Sequence, residues 1–422
     1  MSNFTQTVPN RDLSNKTLQK KNRSRLNKYI FKKWTKYIHS GELEILWPDG
    51  TKWSNKGNVS GIKASIVVNN SRFVRRCLFG GAIGFADSYI DGDWETPDLT
   101  KVISLGIANE AALLSPWTKY QPSLLLNKLK HALNANTYAG SKRNIANHYD
   151  LGNEFYQAWL DNSMTYSSGI FNNTHTTLAE SQNEKYKQIA EITGINHGDN
   201  ILEIGCGWGG FAEYVGKNLD VKLDCITISK KQYEFAKERI YKNHLNHKIN
   251  IELKDYRDVN HKYNSIASIE MIEAVGHQFY ESFFKVCQDR LKPEGAMLIQ
   301  AITIADQHYA AARDSVDFIK RYIFPGSCIP SITALADAAK TSSDLKLFHL
   351  EDIGDHYATT LRKWRETFFD ALPQVKELGF DDRFIKMWDF YLCYCIAGFV
   401  KRHISDVHMV MIRPDSKLNS PT

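Results

Sequence analysis

Residues 201 to 210 read Ile201-Leu202-Glu203-Ile204-Gly205-Cys206-Gly207-Trp208-Gly209-Gly210, an apolar run that passes through glycines straight into a helix-like stretch, Phe211 to Asn218. A strand that turns on glycine lets the backbone come close to a bound nucleoside, because each glycine lacks the Cβ that would stand in the way. The spacing is not GxGxxG, and no Lys-Ser or Lys-Thr follows as it would in a phosphate loop. A nucleoside site without a grip on phosphate suits S-adenosylmethionine better than NAD or ATP, since that molecule carries a nucleoside and an amino acid but no phosphate. Taken alone, the same residues also describe a tight turn between a core strand and its helix. The surrounding sequence has to decide between the two.

Downstream and upstream of this turn the chain alternates strand and helix. Strands are expected at 200–204, 222–228, 249–253, 263–269 and 296–302, with helices between them at 230–243 and 278–291. Five strands alternating with helices predict an α/β fold, a Rossmann-like parallel sheet with ligand at the carboxyl ends of its strands. Residues 303–400 read as mostly helical and are expected to form a lid insertion within a domain spanning 143–422. Before it, short runs at 42–47, 64–68 and 73–79, separated by Pro48-Asp49-Gly50 and Asn69-Asn70-Ser71, carry hairpin signals. They predict a small α+β N-terminal domain over 41–133, helical from 99, followed by an Asn/Ser/Gly-rich linker at 134–142.

At 422 residues and 43% hydrophobic, the chain has enough apolar material for several cores. Its seven cysteines form no CxxC pair, so neither a zinc site nor a disulfide framework is expected and no metal is assigned. The odd count, with no segment that reads as a signal peptide, points to a reducing cytoplasm. No apolar run approaches the roughly 20 residues that span a bilayer. The net charge of +6 is uneven: Lys20, Lys21, Arg23, Arg25, Lys28, Lys32, Lys33 and Lys36 occur with no acid among them. Leu26, Ile30, Trp34 and Ile38 recur between them at helical spacing, so segment 1–40 reads as a basic amphipathic helix. Such a helix can lie on an anionic membrane, each cation near the surface contributing about 1 kcal/mol. It can equally pack its apolar stripe on its own domain. The charge does not recur along a groove, which argues against nucleic acid.

The second expected strand ends in Thr227-Ile228-Ser229-Lys230-Lys231-Gln232, where Thr227, Ser229 and Gln232 offer hydroxyl and amide groups to a ribose. Ser229 is also a good helix N-cap in either case. The third runs into Asp255-Tyr256-Arg257-Asp258, suited to flank an adenine. Further strings stand out: Asn147-His148-Tyr149-Asp150-Leu151-Gly152-Asn153-Glu154-Phe155-Tyr156, Met164-Thr165-Tyr166-Ser167-Ser168-Gly169, Glu270-Met271-Ile272-Glu273-Ala274-Val275-Gly276, Leu291-Lys292-Pro293-Glu294-Gly295, Tyr322-Ile323-Phe324-Pro325-Gly326 and His356-Tyr357-Ala358-Thr359-Thr360-Leu361. Together with the glycine turn, and over residues 143–412, these resemble the cyclopropane fatty acid synthase family, which includes the mycolic acid cyclopropane synthases and related fatty acid methyltransferases.

The resemblance implies a class I methyltransferase that moves the methyl group of S-adenosylmethionine to the cis double bond of an acyl chain on a membrane phospholipid. Positions matching cofactor contacts are Tyr166, Ser167, Glu203, Gly205, Cys206, Gly207, Gly209, Thr227, Ser229, Gln232, Tyr256 and Arg257. A bound bicarbonate serves as base in the family, held by a Cys, a Glu, a His, a backbone carbonyl and a Tyr. The Glu maps to Glu273, the backbone position to Ile302 and the Tyr to Tyr357. Ser168 stands at the Cys position and Gln300 at the His position, so bicarbonate is held differently or another base acts. Cys395 matches a further family cysteine, yet no His or Lys sits beside it in sequence to lower its pKa, and a packed core thiol is the expected role. Loss of a proton from the new methyl group gives a cyclopropane, and loss from the chain gives a methyl-branched alkene. The aromatic cluster Trp364, Phe368, Phe369, Trp388, Phe390, Tyr391 and Tyr394 suits either helix core or an acyl tunnel. Expected partners are unsaturated phospholipid acyl chains and an anionic membrane surface met peripherally; a homodimer is compatible with the reading. A vestigial lipid carrier and a small-molecule methyltransferase are the competing classes.

Overall fold

The computed structural model describes residues 26–114 and 151–419, in two units divided at Ser123 and Leu124. The linker expected at 134–142, the string Asn147 to Asp150 and the cations Lys20, Lys21, Arg23 and Arg25 lie outside the described residues.

In the first unit, β1 (Ser40–Leu46) pairs antiparallel with β2 (Lys52–Lys56) and parallel with β3 (Val59–Val68), and β4 (Trp94–Glu95) closes the order β2-β1-β3-β4. Alternation turns Leu43 and Ile45 inward, with Trp47 just beyond the strand. The stretch Phe73–Phe79, expected as a strand, is instead the start of a helix, Arg72–Ile90. Phe73, Val74 and Cys77 are the residues it buries there, at the i, i+1, i+4 spacing of a helical face. The helix kinks at Gly81, whose φ of 56° and ψ of −139° glycine alone adopts easily. Helix is also found at 99–108 and 110–114, divided at Asn109, whose amide side chain bonds Ser40 and Leu105 carbonyls and accepts from the His39 and Ser40 amides.

The helix at 26–35 turns Phe31, 1% exposed, into this core beside Trp47 and Phe73. Ile38 is buried too, whereas Leu26, assigned to the apolar stripe, is 57% exposed. Lys28 pairs with Asp49 and lies over the Trp47 ring. Much of the apolar face is therefore packed within its own unit, the second of the two alternatives left open by the sequence.

The second unit holds a seven-stranded sheet in the order β10-β11-β9-β8-β5-β6-β7. β5 (Asn200–Ile204), β6 (Lys222–Thr227), β7 (Ile249–Leu253), β8 (Tyr263–Ile269) and β9 (Leu291–Ile304) run parallel, as the sequence predicts. β10 (Lys346–Asp352) and β11 (Ile404–Ile412) extend it antiparallel. Among the described residues the sheet thus has seven strands where five were expected, and the stretch 303–400, mostly helical as read, also holds β10. Alternate β5 residues enter different cores. Leu202 and Ile204 join Phe283, Phe284 and Leu335 on one face, and Ile201 joins Ile189, Phe211, Val215 and Ile240 on the other, so helices cover both faces.

Candidate functional site

The carboxyl end of β5 opens on the glycine turn. Gly205, Gly207 and Gly209 have φ of 84°, 51° and 82°, a region L side chains rarely adopt. A Cβ at Gly205 would strike Met271 at 2.7 Å, whereas one at Gly207 would meet no heavy atom within 4 Å and would project into open space. Cys206 and Glu203 are buried, and one Glu203 oxygen has no hydrogen-bond partner; burial pushes its carboxyl up to about 7. At the end of β6 the Thr227 hydroxyl donates to Gln232 Oε1 at 2.9 Å, and Ser229 caps helix 230–242 by accepting from the Gln232 amide. Arg257 grips Asp255 through two bonds of 2.7 Å and lies over the Tyr256 ring. Tyr256 packs edge-on against Phe283, and burial pushes its phenol up to about 12.

Next to this turn, where β8 and β9 end, lies a cluster of buried and half-buried ionisable groups. Glu270 follows β8 directly with a φ of 47°. One of its oxygens accepts from the Ser168 amide and from Gln300 Nε2, both at 2.8 Å; the other accepts from the Tyr357 hydroxyl at 2.6 Å. The second Gln300 amide hydrogen goes to Asp406 at 2.8 Å, and His408 lies 3.4 Å from Gln300 Oε1. This follows from register: antiparallel pairing sets Gln300 beside His408 and Ile302 beside Asp406. Glu273, in the turn after β8, accepts from the Ile302 amide at 2.5 Å, and its other oxygen is buried without a partner. Lys185, from helix 178–192, is fully buried and donates to Ser167 Oγ at 2.6 Å.

Burial dominates the electrostatics, since each charged form loses its hydration. It raises the Glu273 carboxyl to about 8, with neighbouring Glu270 adding to the effect. It lowers Lys185 to about 8 against the attraction of Glu270 and Asp406. His408 falls to about 3, by burial and then by Lys185, and is neutral. Glu270 and Asp406 are both raised by burial, and the Tyr357 and Ser168 bonds work against the rise at Glu270. Of the two, fully buried Asp406 is raised the further, while the three donors aimed at Glu270 favour its ionised form.

An aromatic wall stands over the cluster. Tyr166 stacks on Trp364 at 5.1 Å and bonds the Tyr391 hydroxyl at 2.8 Å; Tyr357 stacks on Phe399 at 4.5 Å and meets Trp364 edge-on. Phe368 and Trp388 pack with Phe155 and Trp159 as helix core. Of the aromatic cluster read from sequence, Phe368 and Trp388 thus belong to helix core, and Trp364 and Tyr391 to the wall beside Glu270. Cys395 is partly buried and its thiol is pushed up, chiefly by burial.

Of the residues singled out by sequence, Ser168, Gln300 and Tyr357 meet on Glu270, and Ile302 meets Glu273. Ser167 is held by Lys185 and Gln182. Glu270 was quoted but given no role, and Lys185, Asp406 and His408 were missed. The last two sit on β11, which the sequence reading did not count. Their signal is an imidazole inside the otherwise apolar run Val407 to Ile412 and a carboxylate immediately before it.

A family model described as mycolic acid cyclopropane synthetase matches residues 137–409. The tuberculostearic acid methyltransferase UfaA1 of Mycobacterium tuberculosis is 32% identical over 379 residues, 88% of each chain. The cyclopropane-fatty-acyl-phospholipid synthase of Escherichia coli K12 is 34% identical over 354 residues, 83% of this chain and 88% of that one. Among solved structures, mycolic acid cyclopropane synthase CmaA1 complexed with SAH and CTAB superposes with a TM-score of 0.60 at 25% identity, covering 64% of this chain and 98% of that one. With its doubly wound sheet and glycine turn, the chain has the class I methyltransferase fold and belongs to the mycolic acid cyclopropane synthetase family.

Proposed function

We propose that this protein transfers the methyl group of S-adenosylmethionine to the cis double bond of unsaturated acyl chains in membrane phospholipids, giving a cyclopropane fatty acid. The observation that carries this reading is the juxtaposition of an aromatic wall, Tyr166, Trp364, Tyr357 and Phe399, with the half-buried carboxylate of Glu270. Methyl addition to an alkene leaves positive charge on carbon. Aromatic faces and fixed anions stabilise such a charge, and a dry site strengthens both effects.

The open space at Gly207 and the unpartnered oxygen of Glu203 fit a nucleoside bearing an amino group. Glu203, the turn from Gly205 to Gly209, Thr227, Gln232 and Tyr256 would hold it. Bound S-adenosylmethionine supplies a sulfonium methyl, already a strong electrophile. The chain's own residues therefore chiefly align and exclude: Tyr166 and Trp364 wall off water, and Tyr357 and Ser168 fix Glu270. Access to bilayer lipid calls for peripheral attachment on the cytoplasmic side, for which the exposed Lys33 and Lys36 are suited. No helix among the described residues is long and apolar enough to cross a membrane.

A methyl-branched or methylene product is the second reading. It is favoured by the match to a tuberculostearic acid methyltransferase, and by Ser168 and Gln300 standing where the resemblance places Cys and His. The test is purified protein with methyl-labelled S-adenosylmethionine and vesicles of either dioleoyl or dipalmitoyl phosphatidylglycerol. Label is expected in the unsaturated lipid alone; label in neither would refute the reading.

A further inference from the structure

The proposed reaction ends with a proton leaving a methylated, cationic acyl chain, so the site needs a base. The resemblance assigns that part to bicarbonate, but the residues here do not fit it. Three of the positions that would hold the anion already direct their donors at a side chain: the Ser168 amide, Gln300 Nε2 and the Tyr357 hydroxyl all bond Glu270. A carboxylate is itself planar, singly charged and acceptor-only, the chemical equivalent of the anion those donors would otherwise meet.

We propose that the Glu270 carboxylate is the general base of this enzyme, built into the chain in place of bicarbonate; the inference rests on the methyl-transfer reading. Backbone geometry supports it independently. Glu270 adopts a φ of 47° and its amide is tied to the Gln300 carbonyl at 2.8 Å. A non-glycine residue in that region is strained and persists where its surroundings, or a function, hold it. The groups around it suit the role. Asp406 and His408 from β11 meet it through Gln300, Lys185 balances charge from helix 178–192, Glu273 lies on the next turn, and Tyr357 reaches it from helix 354–370.

In the step, the alkene π pair bonds the methyl carbon as the S–C bond breaks, leaving a cation on the adjacent carbon. Glu270 then takes a proton from the new methyl group, the released C–H pair closes the ring, and the carboxylate becomes a neutral acid. Taken from a chain carbon instead, the same pair becomes a double bond.

The test combines turnover on dioleoyl phosphatidylglycerol vesicles, in buffer stripped of carbon dioxide or supplemented with bicarbonate, with 13C NMR of labelled bicarbonate added to the protein with S-adenosylhomocysteine. The wild type is expected to work equally in both buffers and to show no bound bicarbonate. Glu270→Gln is expected to lose roughly 100-fold or more in turnover, with S-adenosylhomocysteine affinity kept. Glu270→Gly relaxes the left-handed backbone, so it should fold; it should bind labelled bicarbonate and regain turnover when bicarbonate is added. Wild-type turnover that collapses without bicarbonate, bicarbonate bound to the wild type, or near-normal turnover in Glu270→Gln would each overturn the proposal. Wild type that labels no lipid would sink the methyl-transfer reading instead, and the NMR arm would still judge Glu270.

Discussion

Glu273 and Glu203 each bury an oxygen that has no partner, and burial lifts their carboxyls to about 8 and about 7. Both bind a proton more tightly folded than unfolded, so the stabilisation is fully present below the ordinary carboxylate range and is lost as pH rises through the folded values. Lys185, lowered to about 8, acts above that window and in the opposite sense: stability returns as pH rises from there towards its ordinary value. Melting of the unliganded protein should therefore fall between about pH 5 and 8, by an amount on the order of 1–3 kcal/mol. A rise over that range would contradict the burial account. Glu273→Gln should melt higher than wild type at pH 8 and flatten this slope; an unchanged slope would remove Glu273 from the titrating groups. Cys395→Ala should keep turnover within a few-fold and cost about 1 kcal/mol, since a thiol pushed up by burial is no nucleophile. At this scale the sequence singled out Ser168, Gln300, Tyr357 and Glu273, which the structure brings close together, but gave Glu270 no role. Two carboxylates three residues apart look alike until distant elements supply their donors, and those of Glu270 come from residues 168, 300 and 357.

The parallel strands β5, β8 and β9 were legible by largely buried apolar runs and the edge strand β7 by its alternation, and the glycine turn between β5 and helix 210–218 marks the ligand edge. Strand β11 was hidden by Asp406 and His408, polar residues that the site retains at buried positions, and β10 by its exposed edge pattern. Helix 72–90 was misread for a different reason: Arg75 and Arg76 break its apolar run so that alternation and a helical face look the same over seven residues. The turn itself yields a sharp expectation. Gly207→Val places a β-branched side chain at a positive φ and into open space, so S-adenosylhomocysteine affinity, read by calorimetry, should fall about 100-fold or more. Stability should drop by about 1–3 kcal/mol from backbone strain. Unchanged affinity would mean that the nucleoside does not lie against this turn.

For the whole molecule, the proposed function gives the basic N-terminal segment and the aromatic-walled site one substrate to serve, lipid in an anionic bilayer. The structure narrows how the segment could contribute, because Phe31 and Ile38 are committed to their own core and Lys28 to Asp49. Charge reversal at Lys32, Lys33 and Lys36 should weaken binding to phosphatidylglycerol vesicles in a salt-dependent way, by about 1 kcal/mol per site at low ionic strength, read by co-sedimentation. Salt-independent or unchanged binding would leave the helix a purely structural role. The central claim, methyl transfer to the double bond of membrane acyl chains, is tested most directly by mass spectrometry of lipids from cells that express the chain and are fed methyl-labelled methionine, before and after mild hydrogenation. One labelled carbon gained on unsaturated chains, in a form that resists hydrogenation, is the predicted result; lipids that carry no label in their acyl chains would contradict it.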